Sequence, residues 1–218
     1  MTQINQSHEF SRIIESLLAQ NFICQYADPP AFEYLSKETY YRHVDEFLQK
    51  LGRCLRQTDD QGAYYCAYLH IDSQSTRKQL SQQFRQTINI LEPMVRWLSL
   101  CMSATQRDAP ISAGEVIRQG EILSALENAP ALVDDLALIT RSGVFATKKD
   151  RPNDQLSHVL MCLCEQGYLL RSGPSSSIYT ATGKWSYLFE VLEFIHTHEE
   201  IGVDDEPSSG EHQEALSL

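Results

Sequence analysis

Twice along this chain, segments with apolar residues at helical spacing give way to a short strand–turn–strand unit, and the two runs flank one long apolar stretch. That order excludes most folds. A helix buries a stripe three to four residues apart and a strand buries every second residue, so a change of period marks a change of element. The first run begins with a helix expected over about Ser11–Gln20, striped by Phe10, Ile13, Ile14, Leu17 and Leu18. A short apolar segment, Phe22-Ile23-Cys24, leads to Asp28-Pro29-Pro30, read as a helix-breaking loop. A second helix is expected from an N-cap at Ser36 to Gly52, carrying Tyr40, Val44, Phe47, Leu48 and Leu51. Arg53–Gln57 and Ala63–His70 then read as strands joined by Thr58-Asp59-Asp60-Gln61-Gly62, a good hairpin loop.

The second run repeats the design. Helices are expected around Glu121–Glu127, then through Leu132, Leu136 and Ile139 to Gly143, then from an N-cap at Asn153 through Leu156, Val159, Leu160 and Leu163 to Gly167. Tyr168–Arg171 and Ile178–Ala181 form a hairpin, and a last helix spans about Lys184–His198. Between the runs, Ser73–Ser103 reads as one helical region with Leu80, Phe84, Ile88, Leu91, Val95, Leu98 and Met102 on one stripe. Ile90, Met94, Trp97 and Cys101 add a second apolar side, so neighbouring elements or another chain must cover it. Pro93 is expected to kink or break this helix. The fold class is therefore mainly α with small β-hairpins: two winged-helix modules, residues 1–72 and 105–200, joined by a helical region at 73–104.

Charge narrows the function. The formal net charge of −11 is concentrated at the end, where Glu199, Glu200, Asp204, Asp205, Glu206, Glu211 and Glu214 follow His198 without a Lys or Arg. Residues 201–218 read as a disordered acidic tail. The body is only mildly acidic, a poor match for a protein that grips duplex DNA alone, because that binding rests on phosphate neutralisation. No apolar run reaches the roughly 20 residues of a membrane span, and the first residues lack the pattern of a secretory signal. A cytoplasmic location is expected, so the 6 cysteines are read as reduced, small apolar fillers.

Reactive constellations are hard to find. Thr182-Gly183-Lys184-Trp185 has a Gly-Lys pair but no upstream glycine at phosphate-loop spacing, and reads as a strand-to-helix turn with Gly183 there for backbone freedom. His196 with His198, His43 with Asp45, and Cys162 with Cys164 stand two apart, which on a helix points them away from each other. No catalytic residue, cofactor or metal site is nominated. Two surfaces are. Lys148, Lys149 and Arg151 precede the helix that would face DNA in a winged helix, Arg141 lies just upstream, and Arg171 and Lys184 flank the second hairpin. These six are candidate DNA contacts, with a solvated loop as the alternative. Tyr64, Tyr65 and Tyr68 on the first hairpin, and Met94, Trp97, Leu98 and Cys101 on the central helix, are candidate partner contacts, with packing as the alternative. Tyr64 and Tyr68 should share one strand face and Tyr65 the other.

Four segments carry a resemblance: LLAQNFICQY, YYRHVDEFLQKLGRCLRQTDDQGAYYCAYLH, INILEPMVRWLSLCM and LSHVLMCLCEQGYLLRSGPSSSIYTATGKWSYLFEVLEFI. In order and length they resemble the MukE/MksE family, the kleisin-interacting tandem winged-helix subunits of bacterial condensins, with MksE the closer branch. The resemblance implies a subunit without chemistry of its own. It implies binding to a MukF/MksF-like kleisin, through it to a MukB/MksB-like SMC ATPase, a homodimer, and nucleoid association in chromosome organisation or plasmid defence. One stretch departs from the pattern. Where relatives can carry basic residues before the glycine that ends the DNA-facing helix, this chain has Cys164, Glu165 and Gln166, which points to weak, sequence-independent DNA contact inside the complex. The competing reading is a winged-helix transcription regulator, which needs basic residues on that helix to read base edges; Leu156 to Gln166 has none.

Overall fold

The structure is a computed structural model that describes the backbone of residues 2–70 and 74–202. The first module runs α1 (Thr2–Leu18), β1 (Ile23–Cys24), α2 (Pro29–Leu35), α3 (Glu38–Gln49), β2 (Arg53–Gln57) and β3 (Ala63–Tyr68). The second runs α4 (Gln74–Thr105), β4 (Val116–Arg118), α5 (Gln119–Asn128), α6 (Pro130–Ile139), a 3-10 turn at Gly143–Phe145, α7 (Pro152–Glu165), β5 (Leu169–Arg171), β6 (Ile178–Ala181) and α8 (Lys184–Gly202). The mainly helical fold with small hairpins is as expected, but each hairpin gains a third strand. The sheets are antiparallel in the orders β1-β3-β2 and β4-β6-β5. Ile23 pairs with Tyr64, and Ile117 with Tyr179.

The first core gathers the α1 stripe (Ile13, Ile14, Leu17) with Ile23, Leu35, Val44, Leu48, Leu55 and Tyr64. Asp28-Pro29-Pro30 does not break a helix; it starts one. Asp28 caps α2 by accepting from Ala31 N at 3.2 Å, and the prolines fill the first positions, where the missing N–H has no partner to lose. Arg12 of α1 binds both oxygens of that cap carboxylate, tying the two helices. Ser36 is accordingly the C-cap of α2, and α3 starts after Lys37. Asp45 of α3 accepts from Leu55 N at 2.8 Å, locking the helix to the hairpin. His43, its neighbour two residues back, stacks on Phe10 instead.

The second core is built around α4. Leu91, Met94, Trp97, Leu98, Leu100 and Cys101 are buried with Ile122, Leu136, Phe145, Leu160, Tyr168 and Trp185. The second half of the central helix is thus part of the second module, packed against α5, α6 and the 3-10 turn, while Val95 of the expected stripe stays 42% exposed. Pro93 does not end the helix. The expected stripe residues Leu80, Phe84 and Ile88 lie outside the described side chains. At α7 the expected N-cap also moves: Arg151 is the cap residue and Pro152 opens the helix, with Asn153 inside its first turn. The last helix extends beyond His198 to Gly202, and residues 203–218 of the acidic segment lie outside the described residues.

Candidate functional site

Two surfaces emerge, a joint between the modules and a cationic edge on the second. The joint begins with a turn. In Thr58–Gly62, Asp60 Oδ1 accepts from the Thr58 hydroxyl at 2.7 Å and from Gly62 N at 2.9 Å. That leaves Oδ2 free to reach across, where it accepts from Ser186 Oγ of α8 at 2.6 Å. One residue earlier, Asp59 N donates to Glu190 Oε1 at 2.7 Å. The hairpin tip of one module is thus hydrogen-bonded to the first turns of the last helix of the other. Burial would raise the Asp60 pKa, but the hydrogen bonds from Ser186, Thr58 and Gly62 outweigh it and hold the carboxyl below its ordinary value. Glu190 is shifted upward, chiefly by burial.

Beside this lock Phe22, Tyr65 and Tyr187 form a cluster, with Phe22 and Tyr65 stacked at 5.5 Å and Tyr187 5.0 Å from each. Desolvation first, then Glu190 and Tyr187, pushes the Tyr65 phenol up to about 12. Gly183 is buried where the modules meet. A Cβ on it would stand 2.7 Å from Gly62 O, 2.8 Å from Ala63 Cβ and 3.0 Å from Cys24 Cβ. The turn needs glycine there for lack of room; its φ is not in the left-handed region, so the backbone-freedom reading is replaced. Next to the cluster lies a cavity of about 330 Å³, lined from both modules by residues including Leu17, Leu18, Arg53, Tyr68, Tyr168 and Lys184.

The candidate partner residues separate accordingly. Tyr65 and Tyr68 line the cavity and are partly exposed. Tyr64 is core, packed on Phe32 and Tyr41. Met94 and Trp97 have no exposed surface, and Leu98 and Cys101 almost none. These four fill the second core, where their own chain packs around them. The sequence missed Phe22, Asp60, Ser186, Tyr187 and Glu190; their contacts across the joint join residues more than a hundred positions apart and leave no local signal.

The cationic edge forms where the chain enters α7. Thr147 N donates to Thr140 O, closing a loop that leaves Arg141 and Lys148 at its two ends. Buried Gln155 donates to Lys149 O at 2.9 Å, fixing the backbone just before the helix. Lys148, Lys149 and Arg151 are exposed and make no ion pair with a described residue. They stand at the N-terminal, electropositive end of a 14-residue helix. Arg141 borders a shallow recess with Glu92, Arg96 and Leu138. Arg171 is exposed on the second hairpin, donating to Ser176 O at 2.6 Å with its guanidinium over Tyr179. Lys184 is the exception: it is turned into the joint, where its ammonium donates to Gln166 O at 2.7 Å and lies over Tyr168 and Phe22. A strand-to-helix turn at the module boundary directs it into the joint, where it also lines the cavity.

The model of one family, described as condensin complex protein MksE, matches residues 8–192. The chain belongs to the MksE family. The match spans both modules and the joint, from within α1 to within α8. No curated protein matches the chain. MksE membership makes the chain a component of a multi-subunit condensin complex. Among the described residues no three His, Cys, Asp or Glu side chains gather as a metal site, and no helix is long and apolar enough to cross a membrane.

Proposed function

We propose that this chain is a non-catalytic accessory subunit of an MksBEF-type condensin: it binds the kleisin, reaches the SMC ATPase through it, and supports DNA against the assembled complex as a homodimer in the cytoplasm and nucleoid. The observation that supports this most directly is the pairing of a cationic edge with a helix that carries no Lys or Arg of its own. Lys148, Lys149 and Arg151 can meet phosphates, while the exposed residues of α7 behind them are Asn153, Asp154, Met161 and Glu165. Phosphate contacts position a protein on a duplex without reading it. A subunit that is held on DNA by its partners needs the first and not the second, whereas a transcription regulator needs both. The two winged-helix modules, fixed to each other by the Asp60–Ser186 and Asp59–Glu190 hydrogen bonds, suit a rigid adaptor. The same architecture serves chromosome organisation and plasmid defence. The test is co-purification of the chain with the kleisin of its own complex, followed by DNA binding with and without that partner. The reading predicts a stable pair and DNA affinity that depends on it; tight, site-specific DNA binding by the isolated chain would overturn it.

A further inference from the structure

The cavity at the joint has an unusual charge balance. Its lining is mostly apolar and aromatic, with Gln20, two cations, Arg53 and Lys184, and no carboxylate among the described residues. Arg53 is satisfied locally, its guanidinium 3.5 Å above the ring of Tyr68, its register partner on the neighbouring strand. Lys184 is not. Its hydrogen-bond partner is one backbone carbonyl, its other neighbours are ring faces 4.7 and 5.5 Å away, and it forms no ion pair among the described residues. Desolvation alone lowers its pKa. The nearest acids of the joint are committed elsewhere, Asp60 to Ser186 and Glu190 to Asp59 N. A half-buried ammonium without a counter-charge is costly unless something brings one. At the rim, Leu18 is 43% exposed, an apolar lip beside an open cleft.

We propose that this cleft seats a protein segment carrying a carboxylate next to a bulky apolar side chain, with the carboxylate against Lys184 and the apolar group on Leu18 and the Phe22–Tyr65–Tyr187 cluster. The proposal rests on the adaptor reading above and assigns it a surface: the segment belongs to the kleisin. Charge complementarity selects this occupant. A nucleic-acid strand would bring several phosphates past the Asp59, Asp60 and Glu190 carboxylates at the other end of the joint, whereas one acidic side chain needs only the single cation.

The test measures kleisin affinity for the full chain and for two variants, with thermal unfolding as a check on folding. Lys184→Met removes the charge and keeps the bulk; it lowers kleisin affinity about tenfold, and the salt dependence of binding weakens with it. Leu18→Glu, on an exposed position that leaves the core untouched, puts a like charge at the rim and lowers affinity several-fold with an unchanged Tm. Leu51→Glu, on another exposed apolar residue outside the cleft, leaves affinity unchanged. Parent-like affinity in both cleft variants overturns the proposal while leaving the adaptor reading intact. A parent chain that does not bind the kleisin overturns both. Loss of DNA binding with retained kleisin binding in Lys184→Met assigns the cleft to nucleic acid and overturns the proposal as well.

Discussion

Gly183→Ala tests the joint by sign as well as size. The backbone at Gly183 is not left-handed, so alanine suits it. Where a glycine of that kind has room, replacement by alanine stabilises by about 0.4–1 kcal/mol through the unfolded chain. Here the new Cβ meets Gly62 O at 2.7 Å, Ala63 Cβ at 2.8 Å and Cys24 Cβ at 3.0 Å. These atoms are backbone or directly attached to it, and they sit on or next to the paired strands β1 and β3, so no side chain can swing away. Relief requires either compression, at about 1–3 kcal/mol, or separation of the modules. Separation forfeits the Asp59–Glu190 and Asp60–Ser186 hydrogen bonds, each to a charged group and worth about 1.5–3 kcal/mol at most, less at their exposed edge. Both routes point to a loss of about 2 kcal/mol, or roughly 4–8 °C in Tm for a chain of this size. Gly173→Ala, on a hairpin glycine with nothing within 4 Å, is the control and leaves Tm level or slightly raised. Thermal unfolding reads the size, and amide exchange at Asp59 reports whether the joint opens. A Gly183→Ala chain as stable as the Gly173→Ala control would refute the close approach.

Replacing Lys148, Lys149 and Arg151 with alanine weakens DNA binding by the assembled complex and lowers its salt slope by about 0.9 for each phosphate no longer neutralised; anisotropy across a salt series checks it. Trp97→Ala costs about 3–5 kcal/mol in urea unfolding by leaving a cavity, whereas Trp97→Phe costs far less, since the indole Nε1–H is buried with no partner among the described residues. Tm followed from about pH 3 to pH 7 separates the two joint carboxylates. The folded-state pKa of Asp60 is depressed, so its contribution is present above the unfolded value and lost as pH falls through the folded one; Asp60→Asn removes that acid-side loss. The folded-state pKa of Glu190 is raised, so its contribution is present below the unfolded value and lost as pH rises through the folded one; Glu190→Gln removes that loss.

The helices, the hairpins and their repetition were legible because each rests on a periodic stripe: Ile13, Ile14 and Leu17 for α1, or Leu156, Val159, Leu160 and Leu163 for α7, all buried as read. Boundaries near Pro29 and Pro152 were not, because each of these prolines opens a helix, and a proline looks alike from either side of a boundary. Strands β1 and β4 have two and three residues, too few for alternation to show. The central helix posed a choice between cover by its own chain and cover by a partner, and composition does not distinguish them; the burial of Met94, Trp97, Leu98 and Cys101 in the second core decides it. Lys148, Lys149 and Arg151 were readable as a run of charge in a loop. Lys184 was not, since its direction depends on a module boundary that brings Phe22 and Tyr168 together around it.

The adaptor account is tested most directly by light scattering on a gel-filtration column loaded with the purified chain and its kleisin. The account predicts one co-eluting species whose mass equals a whole-number assembly of the two. Separate peaks at the masses of the individual proteins, at concentrations well above micromolar, would contradict it.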